Sequence, residues 1–186
     1  MNPRKVNAAR RKELEYIRDK EVWVKMSRTE AQRRGIRIIQ VRWIDVNKGD
    51  TLEEIYRSRL VAKESNAGKE DGLFASTPPL EALRVLISEA ATTDGKKKGR
   101  KVVIISDVVM AYFETPMKRA ICVELLHEAR DEEDDRMDNV ALRQKSIYGT
   151  RDAAANFQAE VKKYMRNLKF SVGKYNASTF YNHEKT

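Results

Sequence analysis

Cysteine occurs once, at Cys122, and histidine twice, at His127 and His183. No disulfide framework can form within such a chain, and a Cys/His zinc site lacks its ligands. Only 8 Gly and 4 Pro occur in 186 residues, too few for a collagenous or low-complexity polymer. No apolar run approaches the roughly 20 residues that cross a bilayer, so no membrane span is expected. The N-terminus, Met1-Asn2-Pro3-Arg4-Lys5, runs into a charged stretch rather than an apolar signal core, which predicts an unsecreted protein of the cytoplasm or nucleus. There is no Walker A loop, no G-x-G-x-x-G, no G-x-S-x-G and no H-E-x-x-H.

Charge is what the chain has in quantity. The formal net charge is +9, and Asp, Glu, Lys and Arg make up 35% of the residues. Residues 1–43 hold 13 Lys/Arg against 5 Asp/Glu, whereas residues 128–138 (EARDEEDDRMD) hold 7 acids against 2 bases. A basic half suits a polyanionic partner, because each cation near a phosphate releases condensed counterions. A well-solvated surface accounts for the same charge. The acidic run has no apolar periodicity and reads as a solvent-facing loop, without the Gly turn of an EF-hand.

Periodicity predicts a mixed α/β chain with antiparallel pairs. Asn7–Lys20 places Leu14 and Ile17 on one helical stripe. Ile36–Ile44 alternates, with Ile39, Val41 and Trp43 on one side. Asn47-Lys48-Gly49-Asp50 signals a turn, and Ile55–Lys63 alternates again, so a β-hairpin is expected. Residues 64–79 read as a loop. A helix follows Pro78-Pro79, with Leu80, Leu83, Leu86, Ile87 and Ala90 at helical spacing. Thr92–Arg100 reads as a basic turn. Val102–Ser106 is a β-branched apolar run, expected as a strand buried on both faces. Ile121–Leu125 and Val140–Ile147 read as strands and Arg151–Leu168 as a helix with Phe157, Val161, Tyr164 and Leu168 in one stripe. A short strand is expected near Ser178–Tyr181.

Three constellations could carry chemistry. Asp107 follows VVIIS directly, and a carboxylate at the end of a buried strand needs a cation, a hydrogen bond or a helix to cap. Arg57, Arg59 and Lys63 point one way along a strand, where they could grip a triphosphate or simply face solvent. Ser146-Ile147-Tyr148-Gly149-Thr150 enters the helix at Arg151, where a turn could receive a base or phosphate, or be a turn and nothing more.

In order, VRWIDVNKGD…YRSRLVAKE, FASTPPLEALRVLISEAA, ISDVVMAYF, SIYGTRDAAANFQAEVKKYMRNLKF and NASTFYN resemble the landmarks of the reverse transcriptase of copia-type LTR retrotransposons, from about Arg10 to about His183. The resemblance implies an α+β fold, the fingers hairpin and partial palm of a right-hand polymerase with a mixed or antiparallel sheet packed with helices. It implies one truncated domain over residues 1–186, fingers-like over about 10–100 and partial palm over about 101–183. The implied family activity is RNA-directed DNA polymerisation, with two Mg²⁺ ions aiding attack on the nucleotide's α-phosphate.

By the same resemblance, Asp107 is the first catalytic aspartate and, with the Val108 carbonyl, a metal ligand. Arg59 and Lys63 contact the incoming dNTP. Tyr112 packs under its sugar, and Tyr148 and Gly149 lie near its base and sugar. The implied partners are an RNA/DNA template-primer, dNTP and the remainder of the Pol polyprotein. Two departures stand out. TRDAAANFQ lacks the proline and tryptophan common in the family, and the chain stops at Thr186, before the family's Tyr-x-Asp-Asp. The expectation is that this polypeptide alone does not polymerise DNA. The alternative expectation is a non-catalytic, nucleic-acid-binding remnant of a decayed element. A sheet that ends before its last hairpin also predicts exposed apolar surface.

Overall fold

The computed structural model describes residues 1–50, 52–65, 73–92 and 102–182. Most of the expected basic turn at Thr92–Arg100 lies outside the described residues, as does His183. The chain is a mixed α+β protein, and its contacts divide it into two compact units. One comprises Met1–Leu73 and Met110–Phe157, the other Phe74–Val109 and Gln158–Thr186.

The first unit opens with helix α1, Pro3–Asp19, capped where the Asn2 side chain accepts the Arg4 N–H. Proline in the first turn loses nothing there. Its buried stripe is Val6, Glu13 and Ile17. Strand β1 (Trp23–Ser27), helix α2 (Arg28–Arg33) and strand β2 (Arg37–Ile39) follow. Strands β3 (Val41–Asn47) and β4 (Tyr56–Ala62) form the antiparallel hairpin that the alternation predicts, with Val41 opposite Ala62 and Asn47 opposite Tyr56. The turn is held by Asn47, whose Oδ1 accepts the N–H groups of Gly49 and Ile55.

The expected strand Ile36–Ile44 is broken at Gln40. β2 joins one sheet and β3 another. Ile39 and Val41 are both buried, so one alternating run feeds two sheets without turning its apolar side outward.

Helix α3 (Leu80–Ala91) belongs to the second unit. In the first unit, a 3₁₀ turn at Ala111–Glu114 precedes β5 (Ile121–Val123). Helix α4 (Glu132–Met137) and strand β6 (Asn139–Arg143) come next. The main sheet has the order β1-β6-β5-β2, antiparallel except for the parallel β2–β5 pair. Its core joins Ile17, Val22, Ile39, Leu60, Phe113 and Val123, all buried. Cys122 is buried with Ala31 and Val140 in a smaller cluster, consistent with a packing role.

The acidic run is not a loop. Asp131 caps α4 by accepting the Asp134 N–H at 2.9 Å, and the Asp134 carboxylate in turn accepts the Asp131 N–H at 2.9 Å. Acids in the first turn suit the positive end of a helix, and Lys25 from β1 pairs with both Asp131 and Asp134. Charge density hid a capping box that apolar periodicity could not reveal.

Helix α5 (Ala153–Asn167) starts in the first unit and continues into the second, which ends in a small hairpin of β7 (Ser171–Val172) and β8 (Phe180–Tyr181). Of the apolar stripe expected over Arg151–Leu168, Tyr164 on α5 and Leu168 just after it are exposed. In the second unit Gln158, Ser76 and Ser178 tie the loop before α3 to the end of the chain.

Val102–Ser106 is the largest departure from expectation. It forms no strand, and Ile104 and Ile105 are 86% and 93% exposed. A β-branched run becomes a strand only when a neighbour takes up its backbone hydrogen bonds, and no described strand does so. α3 likewise has its expected span but buries none of its residues, so Leu83 and Leu86 are exposed. Nine of the large apolar side chains that are exposed lie on these two segments, and the rest are scattered over the described residues.

Candidate functional site

The hairpin's two faces differ sharply. Ser58, Leu60 and Ala62 point inward and are buried. Asp45 is held by both Arg10 and Ser58, fastening β3 to α1. Glu13 of α1 accepts the Leu60 N–H at 3.4 Å, and burial pushes its pKa up even though the Leu60 N–H and the Arg59 and Arg57 cations pull the other way. The outward face carries Arg57, Arg59 and Val61, with Val46 and Ile44 opposite the two arginines on β3.

On this face lies a cavity of about 340 Å³. Its cations are Lys48, Arg57 and Arg59. Its apolar walls are Ile44, Val46 and Val61, and its rim is Tyr148 and Gly149. No carboxylate lines it. The Arg59 guanidinium lies 4.4 Å from the centre of the Tyr148 ring, a cation–π contact. Arg59 Nε is buried without a hydrogen-bond partner among the described residues, and burial pushes the Tyr148 hydroxyl pKa up although Arg59 opposes the shift. Among the described residues none of Lys48, Arg57, Arg59 and Lys63 forms a salt bridge. Unpaired guanidinium N–H groups beside an aromatic face are chemically suited to a phosphate carried by a planar ring.

The turn reaches the hairpin through its backbone. The Tyr148 carbonyl accepts the Ala62 N–H at 2.7 Å. Gly149 has φ +83°, and a Cβ there would lie 2.1 Å from the Ala62 carbonyl oxygen and 2.6 Å from Val61 Cγ1. Only glycine lets the turn lie this close to β4. Tyr112 packs against Tyr148 at 4.8 Å between centroids, the rings tilted by 53°, and meets Phe157 edge-on at 6.2 Å, while Phe113 meets Tyr148 at 5.7 Å. Tyr112 thus buttresses Tyr148 and does not line the cavity.

Behind the turn sits a buried ionic network. Glu64, with its side chain fully buried, accepts two bonds from Arg119 at 3.0 Å and the Arg151 N–H at 2.8 Å. Arg119 also reaches Asp152 at 3.1 Å. Arg143, fully buried, donates to Thr150 at 3.0 Å and to the Arg119 carbonyl at 3.2 Å, and lies 3.5 Å from Asp152. Burial alone would raise the pKa of Glu64 and of Asp152. Arg119, joined by the Arg151 N–H for Glu64 and by Arg143 for Asp152, outweighs burial and holds both carboxyls below their usual range.

The sequence-derived site residues therefore separate into groups. Arg59, Tyr148 and Gly149 converge on one cavity, backed by Tyr112. Lys63 follows β4 and is exposed, but lies outside that cavity. Asp107 and Val108, in the second unit, are exposed, and Asp107 caps no helix, since the following 3₁₀ turn has Met110 at its cap. Among the described residues no group of three His, Cys, Asp or Glu is placed to hold a metal. Asp107 with one carbonyl does not make up the ligand set Mg²⁺ requires, so no chemical step through the ion follows from these residues.

Reading the sequence missed Lys48, which looked like turn chemistry, and the ionic network of the buried side chains Glu64, Arg143 and Asp152 with the partly buried Arg119. Arg143 follows the apolar segment Val140-Ala141-Leu142, a signal that it needed a buried partner. Comparison of the chain with family models, with curated proteins and with solved structures finds no match. No described helix is long and apolar enough to cross a membrane.

Proposed function

We propose that the chain is the fingers hairpin and part of the palm of a copia-type reverse transcriptase, whose cavity at Arg57, Arg59 and Tyr148 receives the triphosphate of a deoxynucleotide. One observation carries this reading. Two segments nearly a hundred residues apart, singled out separately in the sequence, meet in a cavity that presents three cations and an aromatic ring. The order of the sequence blocks supplies the polymerase assignment, and the cavity's chemistry supplies the ligand class.

The bond-forming chemistry is a separate matter. Asp107 is the sole carboxylate assigned to it, and the 186 residues contain no Tyr-x-Asp-Asp. In this reading the polypeptide binds nucleotide and primed template but does not join nucleotides. The second reading, a non-catalytic nucleic-acid-binding remnant, is favoured by the net charge of +9 and by the unpaired cations of the hairpin.

A primer-extension assay with Mg²⁺ and all four dNTPs tests the first claim, with no extended product expected. Product that disappears in Asp107→Ala would contradict it. Binding to an RNA–DNA duplex is expected to weaken steeply with salt, by about a thousandfold between 50 and 200 mM if six or so phosphates are contacted. Duplex binding insensitive to salt would count against both readings.

A further inference from the structure

We infer that Glu64 is a positioning residue, clamping the Tyr148-Gly149 turn onto the end of β4 so that the Arg59–Tyr148 cavity exists before any ligand arrives. The inference rests on reading that cavity as a polyphosphate site, and adds the device that shapes it.

The turn is tied to the hairpin at two places. At one, the Ala62 N–H donates to the Tyr148 carbonyl at 2.7 Å. At the other, two residues along, the Arg151 N–H donates to Glu64 Oε2 at 2.8 Å. Between them Gly149 presses against the Ala62 carbonyl. The second tie alone depends on a side chain, and that side chain is fixed. Arg119 grips both Glu64 oxygens at 3.0 Å, and Arg37 approaches from β2 at 3.9 Å. Arg119 also holds Asp152, the residue after Arg151, at 3.1 Å. One guanidinium therefore fixes the carboxylate on the hairpin side and the carboxylate on the turn side.

Buried ion pairs add little net stability but define geometry well, because a displaced buried charge is costly. Solvation or helix capping would not require this arrangement. Glu64 is buried directly after exposed Lys63, and it spends one oxygen on a backbone N–H of the turn. The consequence falls on Tyr148, whose ring carries Arg59.

Amide hydrogen exchange and titration with dATP, on the whole chain, test the inference together. In the unmodified protein the Arg151 and Ala62 amides should exchange slowly without ligand, and dATP should protect them little further. Fast exchange of Arg151 that slows only with dATP would overturn a preformed clamp, and needs no variant. In Glu64→Gln, the Arg151 amide should exchange at least about tenfold faster and dATP should bind about tenfold more weakly. Arg57→Ala should weaken dATP with no change at Arg151. Glu64→Gln with unchanged exchange at Arg151 and unchanged affinity would make Glu64 an ordinary internal ion pair. If the unmodified protein binds no dATP while the exchange pattern holds, the clamp stands and the polyphosphate reading fails.

Discussion

Gly149→Ala should destabilise the first unit by about 3 kcal/mol and abolish the cavity's binding function. Two costs combine. A left-handed backbone costs an alanine roughly 1–2 kcal/mol, and overpacking adds about 1–3 kcal/mol. Here the clash is with backbone, since the new methyl would lie 2.1 Å from the Ala62 carbonyl oxygen. The turn must lift from β4, breaking the Ala62–Tyr148 bond and moving the ring off Arg59. Both tryptophans, Trp23 and Trp43, lie in the first unit, so denaturation followed by their fluorescence reports on that unit. Gly35→Ala is the control. Gly35 has φ +66° but nothing within 4 Å of its would-be Cβ, so only the backbone cost applies. Equal losses for the two would show that close approach at Gly149 does not matter.

Arg119→Ala should cost about 3–5 kcal/mol near neutral pH, the usual penalty for stranding a buried charge. Its removal leaves Glu64 with the distant Arg37, and Asp152 with Arg143. The pH dependence has a definite sign. With Arg119 present, both carboxyls titrate below their unfolded values. The stability they contribute is in place above the unfolded carboxylate range and drains away as pH falls through the folded values. Without Arg119, burial dominates at Glu64 and raises its folded pKa above the unfolded one. Protonating it then relieves the variant, so the gap between the two proteins should narrow as pH drops from 7 towards 4. Urea melts at several pH values measure this gap. A gap that widens with acid would contradict the assigned partners.

How much was legible beforehand depended on the kind of signal. The hairpin followed from alternation plus an Asn-Lys-Gly-Asp turn, both local properties, whereas its register, with Val41 opposite Ala62, is read from the structure. α1, α3 and α5 announced themselves by periodicity, although only the structure shows that α3 buries none of its residues. The break at Gln40 was invisible, because a strand that changes sheets keeps its alternation. Val102–Ser106 misled for the complementary reason, since β-branched composition records what a segment could pair with and not whether a partner is there. At the site, Arg59, Tyr148 and Gly149 were legible one by one, but their meeting depends on long-range contacts. Glu64 and Arg119 were not legible at all, because 55 residues separate two halves of one ion pair and neither has a distinctive neighbourhood.

Equilibrium titration with a deoxynucleoside triphosphate at low ionic strength, comparing the unmodified chain with Arg59→Ala, tests the central claim most directly. The hairpin cavity as a polyphosphate site predicts saturable binding that added salt weakens, that inorganic triphosphate competes for, and that Arg59→Ala reduces by tenfold or more, about the worth of one charge-assisted contact. Absence of binding to the unmodified chain, or binding equally tight without Arg59, would contradict it.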